Sequence, residues 1–377
     1  MSNILVINSG STSLKYKLFN EDEKEIKSGK LADVENTEKA VKTILKEIGN
    51  LRDLAAVGHR VVHGGDKFFK PVLLTDKIID ELEEFNELAP LHNPYNLAGI
   101  RAIAGFLPDI PQAAVFDTAF YFDLPEVART YALPKNLTEK YKIRKYGFHG
   151  ISHEYAMKEA VADRVPRRSG GSPYAGVNLI TCHLGGGWSV TAIKDGKPID
   201  TSMGWTPMEG LVMMTRTGDI DPGIVVELMK ISENSGLLKN PPNPLYQGGA
   251  AKIPEDIGGW GIIKEVEDLL NHQSGIKGIS GLDNFQDVLK ETSLGYKDAK
   301  LAFDLAVYRL VKYIGSYWTV LEGKVDAIVF TGAIGAGNPM TRNAVMRKLK
   351  FLGNVPVIVV KTNEELAIAR EVGKILS

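Results

Sequence analysis

The chain has 377 residues, a length that accommodates two domains, with 44% hydrophobic and 24% charged residues, as is typical of globular proteins. The formal net charge of -1 excludes a general attraction to nucleic acid or anionic membranes, and no apolar run approaches the ~18 residues of a membrane-spanning helix. The single cysteine, Cys182, excludes an internal disulfide framework. We expect a cytoplasmic protein with no signal peptide, no nucleic-acid partner and no membrane partner.

Two similar hairpins stand near the beginning and the middle of the chain. An apolar strand at 4–7 leads into the glycine- and hydroxyl-rich turn 8–13 and returns as a second strand. Another apolar strand, 179–182, leads into the turn 183–189 and also returns as a strand. Such turns present backbone N–H groups and hydroxyls at a strand end, which is where phosphates bind. The repetition predicts a duplicated α/β fold with a nucleotide between two lobes.

The other segments alternate between helical and strand patterns, which is typical of α/β proteins. The patterns predict helices over 37–48, 297–317 and 363–376, and strands over 56–63, 113–116 and 327–330. On the helix 297–317, we expect one buried face formed by Leu301, Leu305, Tyr308, Val311 and Ile314. The glycine-rich segment 332–338 follows a strand and predicts a third phosphate or nucleoside loop. The segments 163–178 and 238–254 are predicted to be irregular loops.

Four charged residues are candidates for a phosphoryl-transfer site. Arg60 lies within a strand pattern and Arg216 within a polar loop. Each arginine forms either a structural ion pair or a clamp, since guanidinium binds carboxylates and phosphoryl groups in bidentate fashion. Asp117 follows a strand and Glu364 opens the last helix, so each is either a cap or a carboxylate that orients Mg²⁺.

His149 and His153 have an i,i+4 spacing that could suit a metal. We discount a metal, because no acidic residue lies at a ligand position between them and His149 is predicted to lie in a turn. Between glycines, His149 can instead approach a transferred phosphoryl group. A structural histidine is the alternative role.

Eight motifs, in this order, resemble those of the acetokinase family, which belongs to the sugar kinase/Hsp70/actin superfamily. They are Asn-Ser-Gly-Ser-Thr-Ser-Leu-Lys (8–15), His-Arg-Val-Val-His-Gly-Gly (59–65), Leu-Ala-Pro-Leu-His-Asn-Pro (88–94), Phe-Asp-Thr-Ala-Phe (116–120), Tyr-Gly-Phe-His-Gly-Ile-Ser-His (146–153), Asp-Thr-Ser-Met-Gly-Trp-Thr-Pro-Met-Glu-Gly (200–210), Thr-Arg-Thr-Gly-Asp-Ile-Asp-Pro (215–222) and Thr-Asn-Glu-Glu-Leu (362–366). The resemblance covers nearly the whole chain. It implies a duplicated actin-like ATPase fold of ribonuclease H-like domains with a central cleft. We predict domain I at 1–118 plus 363–377 and domain II at 119–362.

The resemblance implies reversible in-line phosphoryl transfer from ATP to acetate, giving acetyl phosphate and ADP, with Mg²⁺ or Mn²⁺ and in a homodimer. It implies catalytic roles for Asp117, His149 and Arg216, and a carboxylate-binding role for Arg60. The remaining implied residues are the metal ligands Asn8 and Glu364; the acyl pocket Val62, Leu91, Phe148 and Pro207; and the nucleotide site Ser11, Ser13, Lys15, His183, Leu184, Gly185, Gly186, Gly187, Asn284, Phe285, Gln286, Gly332, Ala333, Ile334, Gly335 and Gly337.

Departures from the family pattern cluster on the nucleotide side. Gly186 replaces an asparagine, and the segment 284–286 reads Asn-Phe-Gln instead of Asp-Phe-Arg, which keeps the aromatic Phe285 as a stacking position. The third loop has Ala336 and Gly337 where the family has Glu and Asn. The acyl-side motifs are intact. We therefore hypothesise a different phosphoryl donor, either another nucleotide or pyrophosphate, with ATP as the default.

Two other functions are consistent with the same fold. One methylene is worth only ~1–3 kcal/mol of discrimination, so propionate or another short-chain acid is an alternative acceptor, although Val62 favours a small one. A non-catalytic nucleotide-binding protein is the alternative of another class. The presence of Arg60, Asp117, His149 and Arg216 argues against it.

Overall fold

The computed structural model describes residues 3–10, 13–90, 92–163, 173–235 and 260–377. The strands within these ranges are β1 (Asn3–Ser9), β2 (Ser13–Phe19), β3 (Glu25–Ala32), β4 (Leu54–Val61), β5 (Val72–Leu73), β6 (Gln112–Phe116), β7 (Asn178–Leu184), β8 (Trp188–Lys194), β9 (Lys197–Thr201), β10 (Ala327–Thr331) and β11 (Val357–Val359).

The helices are α1 (Thr37–Ile48), α2 (Asp76–Glu83), α3 (Asn93–Phe106), α4 (Glu126–Arg129), α5 (Lys135–Lys140), α6 (Gly150–Asp163), α7 (Pro222–Ser235), α8 (Trp260–His272), α9 (Gly275–Ser280), α10 (Phe285–Leu294), α11 (Lys297–Val320), α12 (Gly332–Gly337), α13 (Pro339–Lys348) and α14 (Glu364–Leu376). Within the ranges given above, none of them has both the length and the apolar character needed to cross a membrane.

The two sheets repeat one topology. The first has the strand order β3-β2-β1-β4-β6-β5 and the second β11-β10-β7-β8-β9. Each begins with an antiparallel meander, β1-β2-β3 or β7-β8-β9, and continues through two parallel strands, β4 and β6 or β10 and β11. Strand β5 extends the first sheet with an antiparallel edge. The predicted duplication is therefore confirmed.

Each sheet carries helices on both faces. On the first sheet, Ile368 and Val372 of α14 pack with Val6 and Ala56. On the second sheet, α6 contributes to a buried cluster with strands β7, β8, β10 and β11. Arg370 of α14 donates to Glu159 of α6 at 3.0 Å, so the two helices are also linked by an ion pair. The domain boundaries at 118/119 and 362/363 remain a prediction.

The predicted buried face of α11 is wrong in two positions. Leu301 is 58% exposed and Tyr308 is 54% exposed. The face that packs on the core consists of Ala299, Ala302, Phe303, Ala306, Val307, Leu310, Ile314 and Tyr317. The prediction was based on the spacing of large apolar residues. The face that is buried includes three alanines, whose small side chains let α11 pack closely on the core.

His59 lies inside the first sheet, where its Nε2 is 2.7 Å from the side-chain amide of Gln112. Burial lowers the pKa of His59 to about 4. The unfolded chain takes up this proton near pH 6.5, so acid stabilises the unfolded state between the two values. We expect this imidazole alone to lower the free energy of unfolding by about 3 kcal/mol on going from pH 6.5 to 4, with no effect above pH 6.5.

Denaturant unfolding of wild type and His59→Gln at neutral pH and near pH 5 measures this contribution. The glutamine keeps a polar partner for Gln112 but does not titrate. The free energy of unfolding of the variant should fall about 2 kcal/mol less over this interval than that of wild type. Equal losses would show that His59 does not contribute to the acid sensitivity.

Candidate active site

Arg60 and Asp117 meet at the carboxyl ends of the adjacent parallel strands β4 and β6. Arg60 Nη2 donates to Asp117 Oδ2, and Nη1 lies 3.4 Å from Asn8 Oδ1. Its Nε lies 3.9 Å from Glu364 Oε2, at the start of α14. The structure thus brings together four residues that are up to 356 positions apart in the sequence, from Asn8 to Glu364.

Burial dominates the electrostatics of these groups. It raises the pKa of both Asp117 and Glu364, and the positive charge of Arg60 opposes this rise. Burial alone would lower the pKa of Arg60, but Asp117 and Glu364 raise it above its ordinary value. Asp117 Oδ1 and Arg60 Nε are buried and have no hydrogen-bond partner among the residues in the described ranges. A bound anion and cation would satisfy them.

The first hairpin adds Lys15 to this group. In the β1-β2 register, Lys15 lies directly opposite Asn8, so the two side chains share one face of the sheet. Ser13 begins β2, and its carbonyl accepts from Gly10 N at 2.8 Å across the turn. Ser11, also predicted to contact phosphate, lies outside the described residues.

His149 occupies a turn that is fixed on Asp117. Gly150 N donates to the Asp117 carbonyl at 2.9 Å, and His149 itself has the left-handed φ of 59°. Such a backbone conformation is uncommon for a non-glycine residue and often marks a functional site. Burial lowers the pKa of His149 well below its usual value, and His183, His153, Arg60 and Arg216 lower it further.

Gly187 lets His149 and Arg216 approach the second hairpin. A Cβ atom at Gly187 would lie 3.0 Å from His149 Cε1 and 3.4 Å from Arg216 Nη1. Arg216 Nη1 donates to the Pro207 carbonyl at 3.3 Å. The Arg216 turn is closed by a 3.1 Å bond from Met213 N to the Arg216 carbonyl. The cationic group is therefore held beside the glycine turn predicted to bind phosphate.

Two further histidines lie in this region. His183 Nδ1 is 2.7 Å from Ser152 Oγ, and its ring centroid is 4.2 Å from that of His149. Burial lowers the pKa of His183 to about 4. Burial, together with Arg216 and Arg60, also lowers the pKa of His92 to about 4, which places His92 within the field of both arginines. The sequence indicates no role for His92, although it lies within the motif 88–94.

Two residues of the predicted acyl pocket lie in one buried cluster. Val62 and Phe148 are buried in one apolar cluster with Val212 and Met214. The Val62 amide is fixed by Asn96 Oδ1 at 3.0 Å. Leu91 lies outside the described residues.

The predicted nucleotide segments are neighbours in space. Gly332 has a φ of 81°, and a Cβ there would lie 2.4 Å from the Leu184 carbonyl oxygen. A Cβ at Gly335 would lie 3.4 Å from the Leu184 side chain. The predicted third loop is itself the short helix α12, which includes Ala333, Ile334 and Gly337. The α12 segment therefore packs directly on Leu184 of the second hairpin. The turn that follows Leu184 is closed by a 3.0 Å bond from Gly185 N to the Gly187 carbonyl.

The structure does not support Phe285 as a stacking surface for a base. Its ring is 5% exposed and packs against Trp188, with 5.6 Å between centroids, and against Phe303. Asn284 caps α10 by accepting from Asp287 N at 2.9 Å, and Gln286 is exposed. No atom of the described residues lies within 4 Å of a Cβ built on Gly186, so this part of the structure leaves the position open.

The model of the acetokinase family matches residues 21–237 and 261–355. The chain belongs to the acetokinase family. The acetate kinase of Symbiobacterium thermophilum is 41% identical, and the alignment covers 99% of each chain. The expected family resemblance is therefore confirmed.

Two solved structures are also similar to this chain over nearly its whole length. The acetate kinase of Porphyromonas gingivalis superposes with a TM-score of 0.83 at 33% identity, covering 100% of both chains. A propionate kinase from Francisella tularensis gives a TM-score of 0.84 at 35% identity, covering 98% of this chain and 99% of that one. These similarities confirm the predicted fold of this acetokinase.

Proposed function

We propose that this acetokinase transfers a phosphoryl group reversibly from ATP to acetate, giving ADP and acetyl phosphate. The observation that carries the proposal is that Arg60 and Asp117 lie at the base of the His149 turn, and that His149 and Arg216 lie beside the glycine turn of the second hairpin. Arg60 contacts Asp117, the His149 turn rests on the Asp117 carbonyl, and His149 and Arg216 flank Gly187. Family membership identifies the reaction class, and this cluster supplies groups of the right charge.

The reaction needs positioning and cationic donors more than proton transfer. Acetate is ionised at neutral pH, so its oxygen can attack the γ-phosphorus while the bond to the β-phosphate oxygen breaks and ADP leaves. The transition state is loose, with negative charge on the equatorial oxygens. We assign the acetate carboxylate to Arg60 and the equatorial charge to Arg216 and His149. Asp117 holds Arg60 in orientation and acts as neither base nor nucleophile.

The residues fit a magnesium-type cation. Mg²⁺ takes one or two carboxylates together with water and phosphate oxygens. Glu364, Asn8 and the partnerless Oδ1 of Asp117 provide oxygen donors of this kind. Across the described ranges, no group of three or more His, Cys, Asp or Glu side chains could hold a metal by itself. When bound, Mg²⁺ or Mn²⁺ would neutralise charge on the transferred group.

The donor side supports a second hypothesis, that the preferred donor is another nucleotide or pyrophosphate. Gly186 lacks the side chain that the family pattern has there, and none of the described residues fills the space beside it. Phe285 is buried, so a base would lose this stacking partner. Both features weaken contacts to a nucleoside but leave Lys15, Arg216 and His149 as candidates for contacts to the phosphates.

Rates of acyl phosphate formation, trapped as hydroxamate, should be measured with ATP, GTP, CTP and pyrophosphate against acetate and propionate. We expect activity with acetate, and propionate to be disfavoured by about 1–3 kcal/mol in kcat/KM. Gly186→Asn should lower the KM for ATP without changing the KM for acetate. A strong ATP preference with ordinary affinity in wild type would rule out the altered donor, and absence of acyl phosphate with every donor would rule out the kinase.

The homodimer, implied by the resemblance, and the cytoplasmic location, expected from the composition, remain predictions. Sedimentation equilibrium of the purified protein tests the first of these directly.

A further inference from the structure

A chain of hydrogen bonds runs from His149 into the interior of the second sheet. His149 Nδ1 lies 2.8 Å from Ser189 Oγ, and the same oxygen lies 2.8 Å from His153 Nε2. His153 Nδ1 lies 2.7 Å from Thr181 Oγ1. Ser189, His153 and Thr181 are all fully buried, which makes an unsatisfied polar atom on any of them costly.

Few hydrogen atoms are available to form these hydrogen bonds. Ser189 has one hydroxyl hydrogen and faces two ring nitrogens. Burial lowers the pKa of both His149 and His153 well below the usual value, so each ring carries a single N–H at neutral pH. One ring nitrogen must therefore accept from the Ser189 hydroxyl and the other must donate to it.

Two arrangements satisfy these contacts. In the first, Thr181 donates to His153, His153 donates to Ser189 and Ser189 donates to His149 Nδ1, which leaves the hydrogen of His149 on Nε2. In the second, His149 Nδ1 donates to Ser189, Ser189 donates to His153, and His153 donates to Thr181. The Thr181 hydroxyl then donates to the Thr191 carbonyl at 3.5 Å, and Nε2 of His149 carries a lone pair. A Cβ at Gly187 would lie 3.2 Å from Nε2, so this nitrogen faces the turn predicted to bind phosphate.

We propose that Ser189, His153 and Thr181 are positioning residues that hold neutral His149 in its Nε2–H tautomer, so that it donates a hydrogen bond to the transferred phosphoryl group. A phosphoryl oxygen is an acceptor, and a lone pair on Nε2 would repel it. This inference rests on the proposed role of His149. It extends that role to three residues that do not themselves reach the substrate.

The tautomer can be measured without any substrate. In ¹⁵N-histidine-labelled protein, NMR distinguishes protonated from unprotonated ring nitrogens, and His149→Gln assigns the His149 signals. We expect Nε2–H in wild type and a shift toward Nδ1–H, or a mixture, in Ser189→Val. Ser189→Thr has the shape of valine but keeps the hydroxyl, and should retain the wild-type pattern. Ser189→Ala removes the hydroxyl without adding atoms, which gives the same test if the larger side chains disturb packing.

Kinetics separates positioning from structural support. We expect Ser189→Ala to lower kcat ~10–100-fold, as loss of groups that orient a functional histidine does elsewhere, with the KM values little changed. In a His149→Gln background the same change should have no further effect on kcat. Ser202→Ala, which removes another buried hydroxyl that bonds Val190 N at 3.0 Å, is the matched control and should leave kcat unchanged.

Nδ1–H in wild type, or an equal loss of kcat from Ser189→Ala in both backgrounds, would overturn the proposal. An Nε2–H signal together with unchanged kcat in His149→Gln would instead support the hydrogen-bond chain and contradict the catalytic role of His149.

Discussion

Replacing Arg216 by alanine is expected to lower kcat by about 10³-fold or more, because a single arginine that stabilises a phosphoryl-transfer transition state contributes this much. Arg216 Nη1 lies beside Gly187 and is oriented by the Pro207 carbonyl at 3.3 Å. Most of the loss should be in kcat, since the charge on the equatorial oxygens develops in the transition state. Initial rates of acyl phosphate formation at saturating donor and acetate measure it.

Two further variants test whether the loss of kcat is specific to the Arg216 guanidinium. Arg216→Lys keeps the charge but not the planar fork, and should recover only part of the rate. Arg101→Ala removes a half-exposed arginine that pairs with Glu83 on the surface, and should leave kcat unchanged. Turnover of Arg216→Ala close to that of wild type would eliminate Arg216 from the transition state and leave it a structural role, through contacts such as that with Pro207.

The duplicated fold could be predicted because its signal is local. Each hairpin is formed by a short run of consecutive residues, so the two copies predict the repeated sheet topology directly. Arg60 and Asp117 were also identifiable, because a charged residue in or directly after an apolar strand is rare without a partner. The structure shows that they are each other's partner.

Features that depend on distant packing could not be predicted. The core face of α11 uses small alanines, which a pattern of large apolar residues does not reveal. The sequence pattern around Phe285 is the same whether its ring contacts a base or packs in the core. The ring is buried because it packs against Trp188, which is nearly a hundred positions away in the sequence. The hydrogen-bond chain from His149 to Thr181 joins two segments through single side chains, so no periodicity indicates it.

Asp117→Ala is expected to lose both stability and activity. Asp117 is 1% exposed, and its carboxylate is the nearest counter-charge to Arg60. Removing one partner of a buried ion pair typically lowers the free energy of unfolding by ~3–5 kcal/mol, because the other charge is left uncompensated. Glu364, at 3.9 Å from Arg60 Nε, offsets part of this loss. A misplaced Arg60 should also cost about 10²-fold in acetate phosphorylation, since a shift of about 1 Å can cost that much.

A double variant tests whether the Arg60–Asp117 ion pair has only a structural role or also a functional one. In Arg60→Met combined with Asp117→Ala no unpaired arginine remains, so denaturant unfolding should show part of the stability restored. The rest should stay lost, because Glu364 no longer has Arg60 as a counter-charge. Acetate phosphorylation should stay low, because the carboxylate clamp is absent. If activity returned together with stability, Arg60 and Asp117 would serve folding alone. If stability returned without activity, the pair would be needed at the reacting groups.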